Sequence, residues 1–350
     1  MGFKLKPCVA LVYLTLTNMM IYADRGILAS IIKVLETSEG LELNNTQAGS
    51  LGSYFMLGFM LSGFFFAHYS QVKHPFSLIA VGLGFWSLTA LGTGLSRNYW
   101  QIALARGLSG VGEVSFACLG PPLVLEYAPK DKKTVWIAVF YSAIAMGFSF
   151  GYIFGATIYS YFNAWHYPFF FEAIFIFVLC LFALFTEKEE HLLTLDPTQS
   201  PKSLASQLQI LLKNLQYVFV VLGFTSYIFT VGAVGFWVIY IQGPYVLQEM
   251  YNLSMTEATQ LISTITITCG IFGTISGSLL LDYNMKKDYK NNETGGISNK
   301  ELMYISVEKS SLMLFIYVFI ATGFLVAGGI VAELWYYIVG FSIGTLFLFA

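Results

Sequence analysis

Charge is what this sequence has least of. Only 11% of its 350 residues are Asp, Glu, Lys or Arg, while 56% are apolar and 17% aromatic. A soluble domain carries about 25% charge and could not cover this much hydrocarbon with polar surface, so a pair of ordinary soluble domains is excluded. Cysteine is scarce as well. Cys8, Cys118, Cys180 and Cys269 stand far apart, form no CxxC or metal-ligand spacing, and fall inside apolar stretches as small core residues. The 9 prolines beside 32 glycines exclude collagen-like and low-complexity chains. A net charge of −2 leaves no electrostatic footprint for nucleic acid. His68, His74, His166 and His191 are scattered, and no metal cluster, Ser-His pair or phosphate-cradling loop points to an enzyme or to a cofactor.

What is abundant is long apolar sequence. A bilayer crossing needs about 20 predominantly apolar residues. Ten stretches qualify: 7–32, 47–67, 75–95, 99–127, 134–160, 164–186, 215–247, 256–281, 310–332 and 334–350. Continuous runs of this kind, without a ten-residue alternation, favour helices over a barrel. The fold class is therefore all-α, a polytopic membrane protein with the lipid bilayer as its solvent. The first stretch is too long for the apolar core of a cleaved signal, lacks a small-residue cleavage site and contains Asp24-Arg25, so it reads as a retained helix.

Lys and Arg set the orientation. With a cytoplasmic N-terminus, fourteen of the 18 basic residues fall in inner connections, against Lys33 and Arg97 outside. Sequons at Asn44 and Asn252 lie in outer loops and are glycosylation candidates, whereas the one at Asn292 is on the inner side. Residues 187–214 follow six spans and read as a cytoplasmic linker, in which Leu204, Leu208, Leu211, Leu212 and Leu215 recur at helical spacing. The expected organisation is a six-helix bundle over 1–186, the linker 187–214 with a short amphipathic helix, and a four-helix bundle over 215–350. That last bundle carries a polar, flexible cytoplasmic loop at 282–309.

The few charges left inside the spans are the functional candidates, because an ionisable side chain in a membrane helix is costly unless paired or hydrated. They are Asp24, Arg25, Arg106 and Glu113. At about 1.5 Å per residue, Asp24 lies roughly 24 Å and Arg106 roughly 20 Å above the cytoplasmic plane, so they can meet at one depth. Glu113 follows Arg106 by about two turns on the same face of span 4, and the small residues between them permit close helix approach. Two readings stay open: a structural ion pair, or carboxylates that take and release a proton or meet a charged substrate. Glu172 is a second cavity carboxylate or a residue bonded to a neighbour. Glu126 and Asp131 mark the inner end of span 4. Tyr22, Phe236 and Trp237 either line a cavity or anchor packing.

Six spans, a linker and a second bundle resemble the major facilitator superfamily. Tyr22-Ala-Asp24-Arg25 is similar to the Tyr-Met-Asp-Arg of spinster-like transporters, and Arg106-Gly-Leu-Ser-Gly-Val-Gly-Glu113-Val-Ser-Phe, followed by Pro121, resembles their span 4 signature. Phe85-Trp86-Ser87-Leu88, Gly151-Tyr152-Ile153-Phe154-Gly155, Trp165-His166 and Leu222-Gly223-Phe224-Thr225 also fit in order. The resemblance covers residues 15–245 and beyond 250 thins to hydropathy. It implies an alternating-access secondary transporter of a lysophospholipid or sphingolipid-type amphipath, proton-coupled or facilitative, in a lysosomal, endosomal or plasma membrane. In that family the matching residues serve coupling and substrate binding, which assigns those roles to Asp24, Arg25, Arg106 and Glu113. A transporter of a small organic anion or sugar and a non-transporting scaffold or receptor-like descendant remain as alternatives.

Three departures stand out. Between spans 2 and 3, Gln71 and Val72 replace the Asp and Arg of the superfamily's gate latch. The Arg expected shortly after Trp165-His166 gives way to Pro168-Phe-Phe-Phe. Two spans of the expected twelve are missing after Ala350, as in an incomplete chain or a ten-span protein.

Overall fold

Apolar side chains without a soluble core to enter leave the backbone to satisfy its own hydrogen bonds, and it does so by coiling. The computed structural model describes residues 4–37, 40–71, 73–129, 132–186, 204–233, 247–292, 312–325 and 334–349. The helices in chain order are α1 Pro7–Leu35, α2 Asn45–Tyr69, α3 Pro75–Gly94, α4 Tyr99–Tyr127, α5 Lys133–Phe162, α6 Tyr167–Phe185, α7 Leu204–Lys213, α8 Leu215–Ala233, α9 Leu247–Tyr251 and α10 Met255–Asn292. Two more close the order, α11 Leu312–Leu325 and α12 Leu334–Phe349. Among the described residues, seven helices are long and apolar enough to cross a membrane: α1 to α6, and Gln260–Leu280 within α10. The protein is a multi-pass membrane protein with an all-α fold.

Local chemistry sets the helix starts. Proline stands in the first turn of α1, α3 and α6, where its missing N–H costs nothing. Asn44 caps α2 through a capping box: its Oδ1 accepts the Gln47 N–H at 2.8 Å, and Gln47 Oε1 accepts the Asn44 N–H at 3.1 Å. Asn98 caps α4 through its side chain alone, accepting the Gln101 N–H at 3.0 Å. α7 forms where the leucine spacing places a helix.

One expectation is corrected. The polar loop does not begin at 282, because α10 runs on to Asn292. No glycine or proline interrupts the chain between Gly277 and Gly295, and Met, Lys and Tyr in this stretch tolerate the helix well. The remainder of that loop and of the expected span 215–247 lies outside the described residues.

Two compact units emerge: Met1–Pro129 with Phe150–Asn214, and Lys130–Ser149 with Leu215–Ala350. In the first, α4 is central and packs against α1, α2 and α3, while α6 packs on α3 and α1. In the second, α10 packs on α12.

Close approach in the first unit depends on missing side chains, since lipid supplies no hydrophobic force between helices. A Cβ on Gly110 would collide with the Phe55 carbonyl of α2 and stand 2.8 Å from the Phe59 nitrogen. One on Gly112 would stand 2.7 Å from the Trp86 nitrogen of α3. Glycine at these two positions lets α4 touch the backbones of both neighbours. Interhelical polar contacts complete the packing: Ser87 donates to the Ala173 carbonyl at 2.9 Å, Tyr13 to the Leu179 carbonyl at 3.2 Å, and Ser109 to Thr89 Oγ1 at 3.0 Å.

Candidate functional site

α1, α4 and α6 each deliver buried charge to the middle of the first unit. Asp24, on the buried face of α1, is fully enclosed, and Arg106 of α4 is 1% exposed. Arg106 donates Nη1 to Asp24 Oδ1 at 2.6 Å and Nη2 to Asp24 Oδ2 at 2.5 Å. This is the fork-to-fork geometry that matches a planar guanidinium to a carboxylate. The two residues meet, as their common depth allows.

Arg25 is held differently. Its side chain keeps 15% of its surface exposed. Nη2 reaches Glu113 Oε2 and Nη1 reaches the Ile21 carbonyl, each at 3.4 Å, and Nε has no acceptor. Side chains on a helix lean toward its N-terminus, so Arg25 folds back by one turn, to the depth of the residue that follows Arg106 by two turns on the descending α4. Aromatic faces complete its surroundings. The guanidinium carbon stands 4.7 Å from the Tyr22 ring centre and 5.0 Å from that of Phe55. Phe55 also lies 5.4 Å from the guanidinium carbon of Arg106, so one α2 ring faces both cations.

Glu113 is fully buried, with Oε1 unpartnered. Glu172, early in α6, is 1% exposed and neither carboxyl oxygen accepts a hydrogen bond. It adjoins Asp24 and Arg106. The structure thus gathers Tyr22, Asp24, Arg25, Arg106, Glu113 and Glu172 into one cluster. Such a cluster can exchange a proton among carboxyls and offer a guanidinium to an anion.

Sequence reasoning missed Phe55, which is one of 32 phenylalanines and carries no mark of its own. Phe236, Trp237 and Asp131 lie outside the described residues, and Glu126 is exposed at the end of α4. Asn44 and Asn252 are both exposed, the first as a helix cap and the second in a left-handed turn at φ 53°.

Comparison with known proteins identifies relatives of the chain. The probable sphingolipid transporter spinster homolog 2 of Arabidopsis thaliana is 33% identical over 297 residues, which cover 76% of this chain and 60% of the relative. The sphingosine-1-phosphate transporter SPNS2 of Xenopus tropicalis is 26% identical over 276 residues, 76% of this chain and 53% of the relative. The chain therefore spans between half and two thirds of the length of these relatives. Among solved structures, a bacterial homolog of the human lysosomal transporter Spinster, inward-facing and unoccupied, superimposes with a TM-score of 0.66 at 16% identity. The match covers 99% of this chain and 74% of that one, and it shows a shared fold that continues past residue 250. The Major Facilitator Superfamily signature matches residues 14–350, and the chain belongs to that superfamily.

Proposed function

We propose that this chain is the greater part of a secondary transporter that moves an amphipathic lipid with an anionic headgroup, of the lysophospholipid or sphingolipid type, by alternating access and with proton coupling. The observation that carries the proposal is Arg25. A guanidinium within a membrane helix whose hydrogen bonds are two contacts at 3.4 Å, with aromatic faces for the rest, has donors to spare for phosphate oxygens. Arg106 is less available to a ligand, because Asp24 engages both of its terminal nitrogens at 2.5 and 2.6 Å and its unpartnered Nε is buried with the rest of the residue. Arg25 meets the headgroup, Glu113 yields its guanidinium to the ligand, and Asp24 with Arg106 holds α1 to α4. The similarity to a probable sphingolipid transporter and to a sphingosine-1-phosphate transporter supports this substrate class.

In the same proposal the N-terminus is cytoplasmic, residues 1–186 and 215–350 form the two bundles, and 187–214 links them. The membrane is lysosomal, endosomal or plasma.

Uptake of labelled lysophospholipids and phosphorylated sphingoid bases into proteoliposomes is the test, with wild type compared with Arg25→Gln, Glu113→Gln and Asp24→Asn across pH. Uptake that depends on a headgroup anion and on Arg25 is expected. Uptake of sugars or small organic anions without any lipid would overturn the substrate class, and pH-independent uptake unchanged by both acid substitutions would overturn the coupling.

A further inference from the structure

The α1–α4–α6 cluster does not balance its charges. Asp24, Glu113 and Glu172 contribute three carboxyls, and Arg25 and Arg106 contribute two guanidiniums. With every group ionised the core would carry one uncompensated negative charge, which a low-dielectric interior penalises heavily. The hydrogen bonds identify which acid is left over. Asp24 accepts both terminal nitrogens of Arg106, and Glu113 accepts one from Arg25. Glu172 accepts none from any described residue although it is 1% exposed.

The other elements packed on α6 bring no relief. α3, and the part of α5 from Phe150 to Phe162, contain no Asp, Glu, Lys, Arg or His. On α1, Tyr13 donates its hydroxyl to the Leu179 carbonyl, and the Tyr22 ring stands against Arg25. Asp24 is the polar group Glu172 can bond with. Two ionised carboxylates have only acceptor sites, so a bond between them needs at least one proton, and Asp24, paired with Arg106, is the one that stays ionised.

We propose that Glu172 is a proton-binding site: it rests as the neutral acid and donates its O–H to Asp24, which brings the five-residue cluster to zero net charge. Release breaks the Glu172 O–H bond and passes the proton to water, and Arg106 then compensates two carboxylates in place of one. Proton binding here stands on the cluster alone, while its use as the coupling step rests on the transport function proposed above.

Infrared difference spectroscopy on the purified protein in lipid nanodiscs tests it. At neutral pH the wild type is expected to show a protonated-carboxyl stretch that shifts when glutamate carboxyls are labelled with carbon-13, stays put when aspartates are labelled, and disappears in Glu172→Gln. A band that follows the aspartate label, a band that survives in folded Glu172→Gln, or no such band at all overturns the assignment. If Glu172→Gln does not fold, Glu172→Asp decides: the band should then follow the aspartate label, and a band that still follows the glutamate label overturns the assignment. Lipid uptake is measured on the same preparation. The band without uptake supports the proton site and rejects the transport reading, and uptake without the band does the reverse.

Discussion

Removing the guanidinium of Arg106 tests the organisation of this core most directly. In Arg106→Met the Asp24 carboxylate keeps its burial and loses both charge-assisted bonds, of 2.5 and 2.6 Å. Two unit charges about 4 Å apart at an effective dielectric of 20 attract by about 4 kcal/mol. Measured losses on breaking one side of a buried pair are about 3–5 kcal/mol, since the orphaned charge must then be hydrated or neutralised. The expected loss is therefore about 4 kcal/mol. Asp24→Leu combined with Arg106→Met removes both charges together, and replacing a buried pair by apolar groups is close to neutral. Most of the single-mutant loss should thus return in the double mutant, as a coupling energy of about 3 kcal/mol. Reversible unfolding of wild type, both singles and the double in mixed detergent micelles gives the cycle. Single losses below about 1 kcal/mol, or singles that simply add, would refute the view that this pair fixes α1 against α4.

Four further outcomes follow from the same geometry. Arg25→Gln should weaken binding of a phosphate-headed lipid by about 10- to 100-fold, the equivalent of one or two charge-assisted bonds, in a direct binding titration. Arg25→Lys should recover only part of this, because an ammonium is a point donor without the planar fork. Phe55→Leu keeps the apolar volume but removes the π-face that both guanidiniums meet. It should cost roughly 2 kcal/mol in unfolding, with Phe55→Tyr close to wild type, and equal losses in the two would remove any role for the ring face. Gly110→Ala should destabilise by about 1–3 kcal/mol, because its methyl meets the backbone of α2 and helices must part to admit it, whereas Gly52→Ala, which meets open space, should not register in the same assay.

The helices were legible in the sequence because the bilayer asks for one thing, an unbroken apolar run, and six of the stretches read that way are α1 to α6 with ends moved by a few residues. Asp24 and Arg106 were legible for the complementary reason: a charge in such a run needs a partner, and depth alone restricted the choice. The polar tail of α10 was not legible, since a hydropathy reading stops where lipid does, whereas a helix of Lys and Asn can continue into water. Phe55 was hidden by abundance. Which ring faces a guanidinium depends on how α2 rotates against α4, and that rotation is fixed by contacts such as Phe55 and Phe59 on Gly110, far apart in sequence. Glu172 could be singled out as buried, but that it accepts no hydrogen bond is a property of three helices together.

The two arginines are held in different ways, and the proposed function uses the difference. A guanidinium whose two terminal nitrogens are held by a carboxylate is a fastener, because anything that takes this fork must first displace a partner at 2.5 to 2.6 Å in a buried setting. A single guanidinium with no carboxylate would be expensive to hold in the bilayer. Arg25 lies between these limits: aromatic faces and a long contact to Glu113 keep it in place, and its exposed edge leaves it open to an anion. In the proposed function, an anion that binds Arg25 displaces Glu113, which becomes an unpaired acid two turns along α4 from Arg106. Headgroup binding then changes the charge balance that Glu172 and Asp24 experience, without direct contact between lipid and either residue. On that proposal the coupling of lipid to proton would be a matter of counting charges in one buried cluster. It predicts that Glu113→Gln, which removes the displaced acid in advance, should uncouple uptake from pH while leaving anion binding at Arg25 intact, as lipid binding and pH-dependent uptake measured side by side would show.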